Sequence, residues 1–161
     1  MNACEIQGNV FDRIGKQWML IGALKEGKAN AMTASWGGMG VLWGKNVVFV
    51  FVRKSRYTKE FIDAGETFSL SFFEEKYRSM LGYMGKVSGR QENKIAKSEL
   101  HLNENNGAPI FDEAELTLVC KKLYEQDIEK AGFVSEEEVQ KWYADNDYHV
   151  MYVAEIVDVL N

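Results

Sequence analysis

The stretch Val47-Val48-Phe49-Val50-Phe51-Val52-Arg53-Lys54-Ser55-Arg56-Tyr57-Thr58 decides how the chain is expected to fold. Its first six residues are β-branched or aromatic, the composition that suits a pleated strand. No polar residue interrupts them, so both faces of the strand are expected to be covered. At Arg53 the character changes to charged and hydroxylated side chains. A helix is expected over Thr58 to Ala64, after a Ser/Thr cap signal and ending at Gly65. A helix start leaves backbone N–H groups free and carries the positive end of the helix dipole, so it favours an anion. Arg53, Lys54, Ser55, Arg56 and Thr58 crowd that point, and arginine grips phosphate with a two-pronged fork. The same residues also suit a capped helix preceded by a solvated charge cluster.

Further strands are expected at Gln17–Leu24, Ala29–Trp36, Leu116–Leu123 and Tyr148–Leu160. Thr67–Phe72 alternates apolar and polar residues and is expected to be half-buried. Short helices are expected at Phe73–Tyr83 and Ser135–Ala144, the second opened by a Ser135-x-x-Glu138 capping box. Many strands with a few interposed short helices argue for a mainly β fold with short helices, a β-barrel carrying helical insertions, rather than a doubly wound α/β sheet. There is no repeat or composition break, so residues 1–161 are expected to form a single domain. Only one proline faces 14 glycines, so the turns rest on glycine and asparagine.

Two further segments draw attention. Thr33-Ala34-Ser35-Trp36, before Gly37-Gly38, offers small and hydroxylated residues that let a planar ligand approach the backbone, with Trp36 as an aromatic wall. It equally suits a barrel strand ending in a glycine turn. Lys86-Val87-Ser88-Gly89-Arg90 could wrap a ligand edge with backbone donors and a cation, or be a flexible polar loop. The segment Gly37 to Lys45 is not a dinucleotide fingerprint, because Trp43 stands where glycine or alanine is needed. Nor is it a phosphate loop, because Met39 stands where glycine is needed and Asn46 where Ser or Thr is needed.

A net charge of −5 makes the chain a poor general binder of nucleic acid. No apolar run approaches the roughly 20 residues that span a bilayer, and Met1–Val10 lacks a signal-peptide pattern. A cytoplasmic location without membrane partners is the expectation. Cys4 and Cys120 have no CxxC spacing and are expected to be buried small apolar residues. Two histidines, His101 and His149, suggest no metal site.

Taken in order, NAMTASWGGMGVLWGK (30–45), VFVRKSRYTKEFIDAGETFSLSFF (50–73), LGYMGKVSGR (81–90), KLYEQD (122–127) and YHVMYVAEIVDVL (148–160) resemble the flavin reductase-like family, which includes flavoredoxins. The resemblance covers nearly the whole chain. It implies an FMN-binding split β-barrel that pairs as a homodimer with non-covalent FMN near the subunit interface. It also implies Arg53, Ser55, Arg56 and Thr58 as the phosphate anchor. Thr33, Ala34, Ser35 and Trp36 become the wall beside the isoalloxazine, and Lys86, Ser88, Gly89 and Arg90 a second loop near the flavin. Gln91 stands where the family pattern expects an acidic residue, and Ala154 where it often has glycine.

The activity this implies is hydride transfer from NADH or NADPH to flavin, by an NAD(P)H-dependent flavin reductase or a related FMN oxidoreductase. The alternatives are a flavoredoxin-like electron carrier fed by a redox protein partner, and a binding module for another ligand. His149, opening the last strand, is the one candidate for a role beside the ring. No side chain is required as a catalytic acid or base, because the flavin carries the redox chemistry.

Overall fold

The computed structural model describes all 161 residues. Nine strands run through the chain: β1 (Met19–Lys25), β2 (Lys28–Ala34), β3 (Gly37–Leu42), β4 (Lys45–Arg53), β5 (Thr67–Phe72), β6 (Leu102–Asn105), β7 (Ala108–Phe111), β8 (Leu116–Asp127) and β9 (His149–Leu160). Five helices are interposed: α1 (Val10–Asp12), α2 (Tyr57–Ala64), α3 (Arg78–Lys86), α4 (Lys94–Lys97) and α5 (Glu136–Trp142). Seven strands form one sheet in the order β2-β1-β5-β8-β9-β4-β3, and β6 pairs only with β7. Every pairing is antiparallel. The end strands β2 and β3 do not pair, which leaves the split in the barrel.

Local chemistry sets the turns. β1–β2, β3–β4 and β6–β7 are two-residue hairpins whose central pairs, Glu26-Gly27, Trp43-Gly44 and Asn106-Gly107, all have positive φ. Such turns match the right-handed twist of paired strands. The sheet curls around one apolar core. Met19 and Ile21 of β1, Val48, Val50 and Val52 of β4, and Phe68, Leu70 and Phe72 of β5 meet Leu118 of β8 and Tyr152 of β9 there. Register irregularities between β8 and β9, at Val119/Cys120 and Lys122/Tyr124, help bend the long strands.

Three expectations need correction. β5 is not half-buried: Ser69 and Ser71 are as enclosed as its apolar residues. The β6–β7 hairpin covers that face, where Ser69 donates to the Pro109 carbonyl and Ser71 bonds Thr117 at 3.1 Å. β4 is fully covered on the face of Val48, Val50 and Val52, whereas on the other face Val47 is buried and Phe49 and Phe51 are only partly covered. Cys4 is exposed rather than buried, whereas Cys120 sits in the core.

A second apolar cluster lies outside the barrel. Leu81 and Met84 of α3 and Ile95 of α4 pack there against Leu20 of β1 and Ala31 of β2. This packing brings the segment after α3 against the start of α2. No helix is long and apolar enough to cross a membrane. Phe68 is fully buried, so Phe68→Ala is expected to cost about 3–5 kcal/mol of stability. Val41 is 73% exposed, and Val41→Ala should stay within about 0.5 kcal/mol. Urea unfolding of both variants checks the contrast.

Candidate functional site

β4 ends where Arg53 faces His149 across the β4–β9 ladder, and the chain then turns into α2. The N-cap position of α2 falls on Arg56, one step earlier than the sequence suggested, and no side chain caps it. The Lys59 N–H bonds the Arg56 carbonyl at 3.1 Å, and the Tyr57 and Thr58 N–H groups remain available. Against this helix start lies the segment that follows α3. Together they enclose a cavity of about 190 Å³, lined by Asn30, Ser55, Arg56, Tyr57, Thr58, Lys86, Val87, Ser88, Gly89 and Lys94.

Three cations and no carboxylate line this space. Lys94, at the start of α4, is 2% exposed. Its Nζ donates to the Met84 and Val87 carbonyls, both at 2.9 Å, and forms no ion pair. Burial, with Arg56 adding repulsion, brings its pKa down to about 8. Arg56 donates to the Gly85 carbonyl at 3.2 Å. Burial also lowers the Arg56 pKa, against the attraction of Asp147. A buried ammonium without a carboxylate beside a half-buried guanidinium costs desolvation energy that a bound anion would offset.

The polar residues around the cations are already oriented. Asn30 is 4% exposed and donates to Thr58 Oγ1 at 2.9 Å. Gly89 presses against this pair: a Cβ there would lie 2.3 Å from Asn30 Oδ1 and 3.0 Å from the Tyr57 ring. Glycine is therefore the residue that lets the loop close over the cavity. Arg90 lies outside it. Its guanidinium sits 4.7 Å from the centre of the Tyr57 ring and donates to the Ser55 carbonyl and to Glu60.

The structure thus brings together Ser55, Arg56, Thr58, Lys86, Ser88 and Gly89. It directs Arg53 elsewhere. Arg53 donates to the Asp147 carbonyl at 2.6 Å and the Trp142 carbonyl at 3.1 Å, and lies over the Tyr143 ring. Ser55 lines the cavity, but its N–H and hydroxyl both donate to the Asp147 carboxylate. Thr33 donates to the Leu81 carbonyl at 2.6 Å and so ties β2 to α3. Ala34 packs against the barrel core. Ser35 and Trp36, in the link between β2 and β3, border a separate recess with Gly37, Gly38 and Met39.

Trp36 also borders the largest cavity, about 710 Å³, whose walls include Phe51, Phe133, Trp142, Tyr143 and Met151. Trp142, at the end of α5, and Tyr143, just after it, form its rim. The expected capping box is not formed: Ser135 caps α5 by accepting from Glu137 N rather than Glu138 N. His149 is 6% exposed and accepts or donates at Nδ1 to the Tyr143 hydroxyl, 2.7 Å away. Burial brings its pKa down to about 4, with Arg53 acting in the same direction. No group of three His, Cys, Asp or Glu side chains is placed to hold a metal ion.

Asn30, Lys94 and Asp147 were not among the candidate contacts read from the sequence. Asn30 sits inside the quoted NAMTASW run, and its burial beside Thr58 is a tertiary effect. Lys94 sits in NKIAK, which carries the pattern of a solvated helix start.

Lys94 sets a pH prediction. The native state releases its proton near pH 8 and the unfolded chain near 10.5, so the unfolded chain holds more protons between these values. The penalty of burying the charged lysine is full below this window and is relieved as pH rises through it. Cys120 and Tyr152 act oppositely over the alkaline range, because burial raises both pKa values. Comparison with Lys94→Met cancels their contribution. The unfolding free energy of wild type relative to Lys94→Met should rise with pH across the window, measured by urea unfolding. A constant difference would show that Lys94 is not buried charged.

The comparisons with known proteins agree with this architecture. The model of the flavin reductase like domain matches residues 11–161. Flavoredoxin from Methanosarcina acetivorans is similar in structure, with a TM-score of 0.70 and 27% identity over 100% of this chain and 76% of that one. Flavoredoxin of Desulfovibrio vulgaris (Miyazaki F) has a TM-score of 0.69 and 24% identity, over 89% of this chain and 68% of its own. A third structure, the NADH:FAD oxidoreductase SgcE6 of Streptomyces globisporus, has a TM-score of 0.68 and 16% identity over 90% of this chain and 74% of that one. No curated protein sequence matches the chain. With 151 of its 161 residues matched and the antiparallel split barrel in place, the chain belongs to the flavin reductase-like family.

Proposed function

We propose that this protein is an FMN-dependent oxidoreductase that takes reducing equivalents from NADH or NADPH. The observation that carries the reading is the anion cavity at the start of α2, where Arg56 and the buried Lys94 face a space without carboxylates. A phosphate monoester dianion fits that chemistry: two cations balance its charge, and first-turn N–H groups and the Thr58 hydroxyl supply donors. The isoalloxazine would then extend toward Thr33, Ala34, Ser35 and Trp36, as in the family resemblance. Lys86 and the Ser88-Gly89 backbone are the groups of this chain assigned to negative charge at the ring edge. When bound, the flavin supplies the two-electron chemistry.

The roles of two candidates change in this reading. Arg53 acts as a clamp that holds the Trp142–Asp147 segment to the end of β4, rather than as a direct phosphate ligand. Arg90 braces the Gly89 loop through Ser55 and Glu60. Ser55 can join the phosphate only if it exchanges Asp147 for the ligand.

The second reading is an electron carrier that exchanges electrons with a redox protein. The exposed aromatic pair Trp43 and Tyr124, 6.2 Å apart and edge-on, favours it as a contact patch. The same outer surface, with Phe49, suits pairing of two copies. We take the working unit to be a homodimer, and a monomer of full FMN affinity in analytical ultracentrifugation would reject it.

An anaerobic absorbance experiment on FMN-loaded protein separates the readings. Rapid bleaching of the visible flavin bands by NADH or NADPH is the expected result. Flavin that stays oxidised with both donors would favour the carrier, and failure to bind FMN at all would overturn both. Removing one charged phosphate contact should cost about 1.5–3 kcal/mol, or roughly 10–100-fold in affinity. Arg56→Ala should therefore weaken FMN by about that factor and leave riboflavin almost unchanged. Equal losses for both ligands would remove Arg56 from the phosphate site.

A further inference from the structure

His149 and Tyr143 form a buried pair that the flavin reading leaves without a task. Tyr143 follows α5 and is 7% exposed. Its ring stacks on Tyr148 with centroids 4.6 Å apart, and the Arg53 guanidinium lies 5.4 Å from its centre. The only partner of its hydroxyl is His149 Nδ1, at 2.7 Å. This leaves two ways to place the proton between them. If Nδ1–H donated, the enclosed tyrosine O–H would have no acceptor of its own. If the tyrosine donates, every proton of the pair is used or reaches the surface. Buried polar groups avoid unpaired states, so the second arrangement is favoured.

A tyrosine that donates to Nδ1 leaves the imidazole proton on Nε2. Nε2 has no partner within the chain. The enclosed side-chain N and O atoms without partners are Arg13 Nε and Asn105 Oδ1, so Nε2 keeps access to the outside. Protonation of Nδ1 would reverse the tyrosine bond, leave the tyrosine O–H without an acceptor and place a cation beside Arg53. Of the groups around the ring, Arg53 opposes an imidazolium and Asp147 favours it, while burial raises the Tyr143 pKa and keeps that hydroxyl neutral. Burial decides against the charge, so the ring stays neutral down to about pH 4. The imidazole lies 5.3 Å from Trp36, and Trp36 meets Trp142 edge-on at 4.9 Å.

We propose that Tyr143 is a positioning residue that locks His149 as an uncharged Nε2–H donor beside Trp36, aimed at an acceptor atom on the flavin ring. The identity of the ring rests on the proposed function; the tyrosine–histidine lock does not. A neutral donor serves both oxidation states of a ring whose charge changes, because its proton count stays fixed as pH moves through the neutral range.

Nitrogen-15 NMR of the imidazoles tests the lock in flavin-free protein. The chain has two histidines, and His149→Gln assigns the signals. The expected wild-type result is a single tautomer for His149, protonated at Nε2 and unchanged across neutral pH. In Tyr143→Phe the signal should become a mixture of tautomers and titrate at higher pH than in wild type. An Nδ1-protonated wild-type ring, or a Tyr143→Phe spectrum identical to wild type, would overturn the lock. On loading with FMN, the Nε2–H proton should move downfield in wild type and less in Tyr143→Phe. A resonance that does not move in FMN-loaded protein would overturn the aim at the ring. Absence of FMN binding with the tautomer intact would strike the proposed function and the aim at the ring, and leave the lock standing.

Discussion

The register pair between Arg53 and His149 is the junction on which the rest of the molecule's polar chemistry depends. β4 can pair with β9 no further, because the chain must leave the sheet to start α2. The Lys54 N–H still reaches the Tyr148 carbonyl, at 3.1 Å, which holds the two departing segments together. On one side of that junction the exit of β4 creates the uncapped helix start and its cation-lined cavity. On the other side the entry to β9 places His149 and the Tyr143–Asp147 segment under the Arg53 guanidinium. One strand ending thus sets two sites. A one-residue slip of β4 against β9 would turn Val48, Val50 and Val52 out of the core and separate both sets of groups.

The cavity is held in an unfavourable electrostatic state by packing. Leu81, Met84 and Ile95 bind α3 and α4 to the outside of β1 and β2, and Lys94 is carried inward with Ile95. Two carbonyls solvate its ammonium, yet no carboxylate neutralises it. The apolar burial of that cluster offsets the cost of the unpaired charge. Such arrangements are expected where a ligand completes the charge balance. Asp147 stands nearby as the group that occupies the Ser55 donors, so the chain already carries an anion at the edge of the cavity.

Much of this was legible in the sequence. The apolar runs at 47–52, 116–123 and 148–160 became β4, β8 and β9 because their residues leave no other way to bury them. The β3 strand was not legible, since Gly37-Gly38-Met39-Gly40 has little strand propensity of its own and pairs only because β4 presents a partner. The β6–β7 hairpin is short, with a polar β6 and a four-residue apolar β7, and its covering of Ser69 and Ser71 has no local signal. At the site, Arg56 and Thr58 were legible from the strand-to-helix junction, and Lys86, Ser88 and Gly89 as one of two readings of their loop, which the family resemblance favoured. The separation of Arg53 from Arg56 was not, because it depends on which way each side chain leaves a turning backbone. Lys94 was hidden for a simpler reason. Its burial comes from packing between elements distant in sequence, which neither charge pattern nor periodicity records.

The most direct test of the account is phosphorus-31 NMR of FMN titrated with the protein. A phosphate monoester has its second pKa near roughly 6 in water. Two facing cations favour the dianion, so the bound phosphate should give a shifted resonance that stays dianionic well below the pH at which free FMN takes up its proton. A resonance that keeps the position and titration of free FMN, while flavin absorbance reports binding, would place the phosphate outside this cavity and contradict the account.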